Sequence, residues 1–334
     1  MHMADALIAP TVAGAMYICS AGAVRYSMKK LSLENDPKKI PLMGIMGAFV
    51  FAAQMINFTI PGTGSSGHLC GGMLLSAVLG PYAGFLTMIG VLFIQCLLFA
   101  DGGILAFGAN VWNMAFYGCF IGAMIIWKYT MAKGITKKKI IFASVLGSIL
   151  TLQLGAFSVT LQTLASNITE LPFAVFVSTM QPIHLAIGLV EGLITASVLC
   201  FVYEARPELL WKGKDISLEK EGKVSYKNTI IILAVAASVI GGLLSSMASS
   251  HPDGLEWSIE KIAGSTELAS SGIAYEVAEK IQGITALFPD YSFKGSESIL
   301  GTSFSGIFGG IAVIVLCIVS CYLFNFFKGK SENE

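Results

Sequence analysis

The sequence predicts an all-α polytopic membrane protein with about nine transmembrane helices, and three observations lead to this fold class. Hydrophobic residues make up 54% of the chain and charged residues only 13%, about half the charged share of an ordinary soluble domain. Between Pro41 and Trp127 the single charged residue is Asp101. Further uncharged runs occupy residues 140–169, 228–252 and 299–327, and each can hold a span of roughly 20 residues.

The first half of the chain contains the first five predicted spans. Spans one and two cover about residues 7–28 and 41–60, and a flexible Gly/Ser-rich turn at 61–67 then leads to His68. The third apolar piece, 68–80, is short for a crossing at about 1.5 Å per residue. We therefore expect it to lie among other helices. Span four covers about 82–100, and span five follows the turn Asp101-Gly102-Gly103 and ends near residue 127.

The second half contains four more predicted spans, at about residues 140–161, 174–203, 229–247 and 307–327. The most polar internal stretch, 206–227, is predicted to be a cytoplasmic linker. It separates a domain of about seven helices at 1–205 from a C-terminal domain at 228–334. The second domain is expected to have two transmembrane helices around an outer loop at 250–305.

The distribution of positive charge predicts that the N-terminus lies outside and the C-terminus in the cytoplasm. With this orientation, 18 of the 21 Lys and Arg residues fall in the inner segments, as the positive-inside rule requires. The other three, Lys261, Lys280 and Lys294, fall in the outer loop. A cleaved signal peptide is not expected at the start, because positive charge follows the first apolar stretch and does not precede it.

This topology gathers acidic residues on the outer side of the membrane. Carboxylates there would raise the local concentration of cations and speed their capture, although a solvated acidic surface without a role explains any single one equally well. The outer carboxylates are Asp5, Asp101, Glu170, Asp253, Glu256, Glu260, Glu267, Glu276, Glu279, Asp290 and Glu297.

The first two residues, Met1 and His2, can form a chelate around one divalent cation. The α-amino group, the His2 amide nitrogen and the His2 imidazole lie within covalent reach of one another, provided that Met1 is retained and its amine is free. A fourth nitrogen would complete a square-planar set, which is typical of Ni(II) or Cu(II), with Co(II) close in the affinity order. His68, predicted on the same side, is the candidate for the fourth ligand. The alternatives are an accidental Met-His start and a histidine that caps a membrane helix.

Other polar residues in or beside the predicted spans are candidates for supporting roles. His184 and Glu191 would share one face of span seven, and intramembrane ionisable groups suggest function by default. The glycines beside them favour close helix packing instead, so we interpret the pair as structural or as a hydrogen bond near the site. Asp101, Asn110 and Asn113 are candidate acceptors for a ligand imidazole.

Several signatures of other functions are absent from the sequence. There is no GxxxxGK[ST] motif, so the chain has no P-loop of its own for ATP hydrolysis, and there is no HExxH motif of the zinc proteases. The basic residues fall in short loops beside the membrane and do not form a nucleic-acid-binding module. We therefore expect no enzyme, and no nucleic-acid partner.

Four motifs together resemble a known family, the cobalt/nickel substrate-binding membrane subunit (CbiM/NikM type) of energy-coupling factor (ECF) ABC transporters. The resemblance covers roughly residues 1–205. It implies a metal site built from the Met1 amine, the amide and imidazole nitrogens of His2, and the His68 imidazole. The motifs are Met1-His2-Met3-Ala4-Asp5, Gly64-Ser65-Ser66-Gly67-His68, Asp101-Gly102-Gly103 and Gly108-Ala109-Asn110.

The C-terminal domain resembles the PDGLE module of the small companion subunit (NikN/CbiN type), here fused to the first domain. The resemblance rests on His251-Pro252-Asp253-Gly254-Leu255-Glu256. It implies that the outer loop helps to load the metal, with His251, Asp253 and Glu256 as candidate residues. In this interpretation the amphipathic stretches 254–263 and 274–283 are short outer helices near the mouth of the site.

The family resemblance implies a function and a set of partners. The chain would capture Co(II) or Ni(II) as transported ligand in the plasma membrane of a prokaryote, for cobalamin biosynthesis or nickel enzymes. Two cytoplasmic ABC ATPases and a coupling transmembrane subunit would supply the energy. The alternative is a self-sufficient secondary transporter or channel for divalent cations, with a metal-dependent membrane enzyme as a more distant one. The ligand set suits cobalt and nickel equally.

Overall fold

The structure, a computed structural model, describes residues 1–31, 38–211, 222–295 and 298–331. Within these ranges the protein is mainly helical, with one short two-stranded sheet. Parts of the predicted linker 206–227 and of the predicted C-terminal domain, at residues 212–221, 296–297 and 332–334, lie outside the described residues, and so does the outer carboxylate Glu297.

The described part of the predicted N-terminal domain contains seven helices and one β-hairpin. The helices are α1 (Pro10–Lys30), α2 (Lys39–Gln54), α3 (Gly72–Leu79), α4 (Pro81–Phe99), α5 (Phe107–Thr130), α6 (Lys137–Ser166) and α7 (Phe173–Ala205). Most of α5 has i→i+5 hydrogen bonds of the π type, over Val111–Trp127. The strands β1 (Phe58–Ile60) and β2 (Ser65–Gly67) connect α2 to α3.

The described part of the predicted C-terminal domain contains four helices. The two in the middle are short and correspond to the amphipathic stretches expected at 254–263 and 274–283. The helices are α8 (Tyr226–Gly242), α9 (Gly254–Ala263), α10 (Ile273–Thr285) and α11 (Ile299–Ser331). Single 3-10 turns occur at Asp5–Leu7, Pro207–Leu209, Leu244–Met247 and Pro289–Tyr291.

Five of the described helices are long and apolar enough to cross a membrane. They are α4, α5, α6, α7 and the part of α11 at Leu300–Leu323. Helices α2 and α8 are apolar but shorter, with 16 and 17 residues. The chain is therefore a helical membrane protein, while the number of nine spans and the orientation of the termini stay predictions.

Helix α3 lies among other helices, as its short length predicted, and all eight of its residues are buried. Glycines allow its neighbours to approach closely, since a Cβ atom added to Gly72 would lie 2.9 Å from Cα of Gly118 in α5. Small residues serve the same purpose between α6 and α7, where a Cβ on Gly192 would lie 2.6 Å from Cα of Val145. Such contacts are common between membrane helices.

The region between α2 and His68 differs from the prediction. Helix α2 ends at Gln54, whereas span two was expected to continue to residue 60, and the expected flexible turn includes a buried strand, β2. The physical reason lies far away in the sequence, because Ser66 of β2 donates from its backbone nitrogen to the Pro252 carbonyl (2.8 Å) and from Oγ to the His251 carbonyl (2.7 Å). The PDGLE segment thus pairs with a strand that also pairs with β1.

The described C-terminal helices pack against α2, which makes the second domain part of the membrane core. A Cβ on Gly309 of α11 would lie 2.1 Å from the Phe51 ring of α2. The absence of a side chain at Gly309 therefore allows the Phe51 ring to pack directly against the α11 backbone. Gly306 of α11 is equally close to Gly241 of α8. Helices α8 and α11 are therefore packed beside the first domain, and the start of α9 lies close to the N-terminus.

Candidate metal centre

The first residues of the chain fold inward and are fixed to the start of α5. The Met3 backbone nitrogen donates to Asn110 Oδ1 (2.7 Å), and Asn110 Nδ2 donates to the Met3 carbonyl (3.0 Å). The Asn110 amide thus pairs with this backbone as a neighbouring strand would. Asp5 Oδ1 accepts from the Ala106 backbone nitrogen at 2.9 Å. Together these bonds bury Met1 and Met3 and fix the position of His2 between them.

The Met1 amino group lies between an imidazole and a carboxylate. Its nitrogen is 2.9 Å from His68 Nε2 and 2.5 Å from Asp253 Oδ2. The Met1 side chain fills a space beside Gly155 of α6, where an added Cβ would lie 2.9 Å from Met1 Cε. The amine is therefore positioned by the packing of the Met1 side chain against Gly155 and by its two polar partners, His68 and Asp253.

These contacts change the pKa values of the groups involved. Burial alone would lower the pKa of the Met1 amine, but the negative charge of Asp253 outweighs burial and raises it above the usual value. Burial and the adjacent amine charge lower the pKa of His68. Burial would raise the pKa of Asp253, yet the amine and His68 hold it well below its usual range. The site thus favours a charged amine paired with a carboxylate, beside a neutral imidazole.

His68 is oriented so that one ring nitrogen faces the amine. Its Nδ1 lies 3.0 Å from the Leu69 carbonyl, and a proton on Nδ1 donated to this oxygen leaves the lone pair of Nε2 directed toward Met1. Neutral imidazoles that bind metals are commonly fixed in this way by a bond from their other nitrogen.

Glu191 supports the backbone that follows His68. Its two carboxylate oxygens accept from the backbone nitrogens of Cys70 (3.0 Å) and Gly71 (3.1 Å) at the start of α3. Gln54 of α2 donates from Nε2 to the Cys70 carbonyl at 2.7 Å. Glu191 is thus an acceptor for free amides at a helix start, which agrees with the structural interpretation made from the sequence.

His2 is held by two side chains on the other side of His68. Its Nδ1 lies 3.0 Å from Asp101 Oδ1, and its Nε2 lies 3.2 Å from Gln95 Oε1. Burial would raise the pKa of Asp101, but the charge and hydrogen bond of His2 lower it to about 2. The rings of His2 and His68 stack with centroids 5.3 Å apart and an interplanar angle of 17°.

Two residues of this network were missed in the sequence. Gln95 is fully buried in span α4, and Tyr291 belongs to the second domain, where its hydroxyl donates to Asp101 Oδ2 and accepts from Gln95 Nε2. A glutamine inside an apolar span was a detectable signal, because such groups need a partner. Nothing near Tyr291 in the sequence indicated its contact, since Asp101 lies 190 residues away.

Asp253 has two roles at once, one for each carboxylate oxygen. Its Oδ1 accepts from the backbone nitrogens of Leu255 (2.8 Å) and Glu256 (3.0 Å), which caps α9. Glu256 completes the capping box by accepting from the Asp253 nitrogen at 3.0 Å. The other oxygen, Oδ2, contacts the Met1 amine. The PDGLE motif therefore places the start of α9 directly on the N-terminus.

The remaining candidates lie at the edge of this site or outside it. Asn113 pairs its amide with that of Gln162 (2.7 and 2.9 Å), so the structure does not bring it to His2 or His68. His184 Nδ1 lies 2.8 Å from the Met180 carbonyl, and the opposite edge of the His184 ring packs against Gly254. His251 has an exposed side chain and contributes its carbonyl to Ser66.

An acidic cavity of about 560 Å³ opens beside the two imidazoles. Among the described residues that line it, none is Lys or Arg, and an excess of carboxylates of this kind favours cations over anions. Its acidic lining residues are Asp5, Asp101, Asp253, Glu256, Glu267, Glu279 and Asp290.

Side chains alone do not form a metal site in the described part of the chain. No group of three or more His, Cys, Asp or Glu residues there is close enough to hold an ion.

Comparison with known proteins gives the same assignment for both domains. Residues 2–209 match the CbiM model, described as a cobalt uptake substrate-specific transmembrane region, and residues 227–326 match the PDGLE domain. A putative fused nickel transport protein NikMN of Archaeoglobus fulgidus is 34% identical, covering 95% of this chain and 96% of that protein. A probable fused nickel transport protein LarMN of Lactiplantibacillus plantarum is 27% identical over the same shares.

A solved structure supports the fold of the first domain. The crystal structure of a truncated transition metal transporter superposes with a TM-score of 0.54 at 30% sequence identity, and it covers 61% of this chain and 99% of that one. With the family model matching more than half of the residues, the chain belongs to the CbiM family of cobalt and nickel transport proteins and carries a PDGLE domain fused to its C-terminal side.

Proposed function

We propose that this chain binds Co(II) or Ni(II) through four nitrogen atoms and imports it as the substrate-binding component of an ATP-driven ECF transporter. The proposed ligands are the Met1 amine, the amide nitrogen and Nδ1 of His2, and Nε2 of His68. Four nitrogens in one plane suit Ni(II) and Cu(II), with Co(II) near them in affinity. The names of the relatives, which are nickel and cobalt transport proteins, support these two metals as cargo.

The observation that carries this proposal is the distance of 2.9 Å between the Met1 nitrogen and His68 Nε2. In the proposed plane the His2 amide lies between the amine and Nδ1, so His68 must occupy the corner next to the amine. Two metal–nitrogen bonds of about 2 Å at a right angle separate their nitrogens by about 2.8 Å. The amine and His68 are therefore already at the separation that adjacent ligands need.

The His2 ring must turn before it completes the proposed set. Only Nδ1 closes a six-membered chelate ring with the amide nitrogen of the same residue, and this atom faces Asp101 in the structure. Rotation about the side-chain bonds of His2 would exchange the carboxylate for the metal. Asp101 and Gln95 would then be available to accept from the other ring nitrogen, as partners of ligand imidazoles do.

Asp253 is proposed to guide loading, together with the acidic cavity that leads to it. Its Oδ2 lies 2.5 Å from the amine and 3.7 Å from His68 Nε2, so an entering cation meets this carboxylate as it reaches the first two ligands. Glu256 holds the start of α9 in place and adds negative charge. The His251 carbonyl accepts a hydrogen bond from Ser66 of β2. This contact supports a role of the His251 backbone in positioning the loop, and it gives no support to the His251 imidazole as a metal ligand.

We further propose that two cytoplasmic ABC ATPases and a coupling membrane subunit drive transport in the plasma membrane of a prokaryote. The chain has no P-loop motif of its own. A self-sufficient secondary transporter would need free ionisable groups inside the membrane. The two candidates in α7 are engaged, since Glu191 accepts two backbone hydrogen bonds and His184 contacts Met180. Their engagement favours the ECF proposal.

The ligand proposal is tested by titrating the purified chain with Ni(II) and with Co(II). His2→Ala and His68→Ala should each weaken binding by more than about 100-fold, beyond the 10- to 100-fold cost of losing an outer partner. His251→Ala is the matched control, because it removes an exposed imidazole, and its affinity should stay unchanged. Equal affinities for the His68→Ala and His251→Ala chains would refute the proposed site.

The energy source is tested in cells that lack other nickel and cobalt uptake systems. Cells that express this chain together with its ATPase and coupling subunits should accumulate metal, and a Walker-A lysine variant of the ATPase should abolish accumulation. Strong concentrative uptake by the chain alone would favour the secondary transporter instead.

A further inference from the structure

The segment 286–295, which follows α10, folds over the C-terminal end of α4. The Phe288 backbone nitrogen donates at 3.0 Å to the Leu98 carbonyl, and such carbonyl groups at the end of a helix have no partner within it. Three residues later, the Tyr291 ring stacks on Phe99 with centroids 4.8 Å apart and an interplanar angle of 20°. Phe51 of α2 meets the same ring edge-on at 6.2 Å. Tyr291 is thus held between two helices of the first domain.

The backbone at Tyr291 has an uncommon conformation. Asp290 and Tyr291 have φ angles of 50° and 58°, and left-handed backbone is rare for a side chain as bulky as tyrosine. A conformation of this kind persists only where the surrounding structure determines it, and it occurs often at functional sites. The packing and the hydrogen bonds of the Tyr291 side chain therefore hold the backbone in place.

The Tyr291 hydroxyl closes a ring of four side chains that includes His2. It donates to Asp101 Oδ2 and accepts from Gln95 Nε2 at 3.2 Å. The other oxygens of these two partners face the His2 imidazole. Asp101 Oδ1 lies 3.0 Å from His2 Nδ1, and Gln95 Oε1 lies 3.2 Å from His2 Nε2. Tyr291 therefore lies opposite His2 in the ring and contacts both of its partners.

The chemistry of these groups fixes the direction of the bonds around Tyr291. An ionised carboxylate can only accept, so Tyr291 must donate its single hydroxyl proton to Asp101. The phenol oxygen is then an acceptor for Gln95, which must present its NH2 group to Tyr291 and its carbonyl oxygen to His2. Without the hydroxyl, the Gln95 amide loses this constraint and Asp101 Oδ2 loses its donor.

We propose that Tyr291 is a positioning residue for the metal centre, which sets the orientation of Asp101 and Gln95 and through them that of the His2 ring. This inference rests on the proposed role of His2 as a ligand. A ligand imidazole depends on the partners of its other nitrogen, and Tyr291 orients both candidate partners before an ion arrives. The second domain thus acts on the centre at two places, since Asp253 contacts the amine and Tyr291 contacts the partners of His2.

The test compares two tyrosine-to-phenylalanine variants of the full, metal-free chain in phosphatidylcholine nanodiscs. Tyr291→Phe removes the hydroxyl and retains a ring that can stack on Phe99. Tyr275→Phe is the matched control, because its hydroxyl also joins the second domain to the first, at the Ile8 carbonyl (3.0 Å) and outside the ring of four side chains. The four histidines are labelled with ¹³C in their imidazoles, and the chain carries no histidine tag. The NMR signal of His2 is identified by its loss in His2→Ala.

We expect Tyr291→Phe to shift or split the His2 signal by more than its line width, because the partners of the ring lose their fixed orientation. The signal of the exposed His251 should stay in place. Tyr275→Phe should leave both signals unchanged. An unchanged His2 signal in Tyr291→Phe would overturn the proposal, and so would an equal change in Tyr275→Phe.

A chain that carries Asp101→Ala and Gln95→Leu separates positioning from packing. In this chain, Tyr291→Phe should have no further effect on the His2 signal, because both groups through which Tyr291 acts are absent. An effect as large as that in the otherwise unchanged chain would overturn the proposal, since packing between α2 and α4 would then explain it.

Titration with Ni(II) connects this role to metal binding. Tyr291→Phe should lower the affinity by about 3- to 10-fold, which is less than the cost of losing a direct partner of a ligand. Unchanged affinity would overturn the proposal. A failure of the unchanged chain to bind Ni(II) would refute the proposed function instead, and the two failures are distinguishable because the NMR comparison requires no metal.

Discussion

The two imidazoles of the metal centre are held in different ways. His68 follows a buried strand, its Nδ1 contacts a backbone carbonyl, and Glu191 fixes the next two residues. His2 lies in an extended terminus and is held only by side chains, at 3.0 Å from Asp101 and 3.2 Å from Gln95. His68 is therefore positioned by the fold, whereas His2 is free to exchange one partner for another.

This difference suggests an order of ligand binding. In the proposed site, the amine and His68 already lie at the spacing of adjacent ligands, so an ion could bind them without rearrangement of the backbone. The His2 ring would then turn from Asp101 to close the chelate. The Met1 amine and His68 thus form a fixed half of the proposed site, and the His2 ring forms a mobile half. Such a site combines a low cost of ordering with a route by which the ion can enter and leave. Four predictions test this comparison, from the largest expected effect to the smallest.

An additional glycine before Met1 changes the fixed half directly. It converts the amine into an amide and moves the new amine out of the space beside Gly155, so Ni(II) affinity should fall by more than about 100-fold. Calorimetric titration measures the change, after mass spectrometry has established the N-terminal residue of both chains. One glycine added after Glu334 is the matched control. Normal affinity in the N-terminally extended chain would show that the amine is not a ligand.

Glu191→Gln loosens the loop that carries His68. The neutral amide is a weaker acceptor for the Cys70 and Gly71 backbone nitrogens and presents one donor where an acceptor is needed. Affinity for Ni(II) should fall by about 10- to 100-fold, as for loss of an outer partner. Glu170→Gln is the control, because its side chain is exposed in a loop apart from the site. The prediction is wrong if both variants bind alike.

Asp253→Asn tests how the second domain acts on the fixed half. Asparagine still caps α9, but the amine loses the charge that raises its pKa, while Asp101 and Glu256 still face it. The metal competes with a proton for this nitrogen, so an amine with a lower pKa binds metal at lower pH. Removing the carboxylate also weakens its attraction for the ion, so the midpoint is the pH at which Ni(II) affinity falls to half of its own value at high pH. This midpoint follows the pKa of the amine and should move down by about one unit. A midpoint that stays in place or moves up would contradict the assigned role of Asp253.

Asp101→Asn weakens the contact between residue 101 and the His2 ring, which is the mobile half. Asp101 contacts His2 Nδ1, the ring nitrogen that the proposed chelate needs. In 0.15 M salt, the variant should therefore bind Ni(II) faster than the unchanged chain, by less than about tenfold. The visible spectrum of the Ni(II) complex should not change, because Asp101 is not a ligand in the proposed set. Stopped-flow absorbance measures both quantities. An altered spectrum would place Asp101 within the ligand set, and slower binding would contradict the prediction by showing that its charge matters more for capture than its contact with His2.

Much of this architecture could be predicted from local patterns in the sequence. Helix α9 covers Gly254–Ala263, the amphipathic stretch that was expected to be a short outer helix. The membrane helices follow the uncharged runs for the same reason, since a span is recognised by its own composition. Met1, His2 and His68, which the predicted topology places on one side of the membrane, are neighbours in the structure.

The contacts between distant segments could not be predicted in this way. The strand β2 depends on Pro252, and the His2 network depends on Tyr291. Asn113 was a candidate beside Asn110, yet one turn along α5 its amide faces Gln162 and not the terminus. Which neighbour a buried amide meets is decided by helix rotation and packing, and a single sequence contains no direct record of either.

The ion pair between Met1 and Asp253 joins residues 252 positions apart, and this has a consequence for biogenesis. At 5 to 20 residues per second, Asp253 is synthesised roughly 10 to 50 seconds after Met1. The Met1 amine lacks this partner throughout that interval. The ion pair can form only after the start of the second domain has been made, so the order of synthesis delays its assembly.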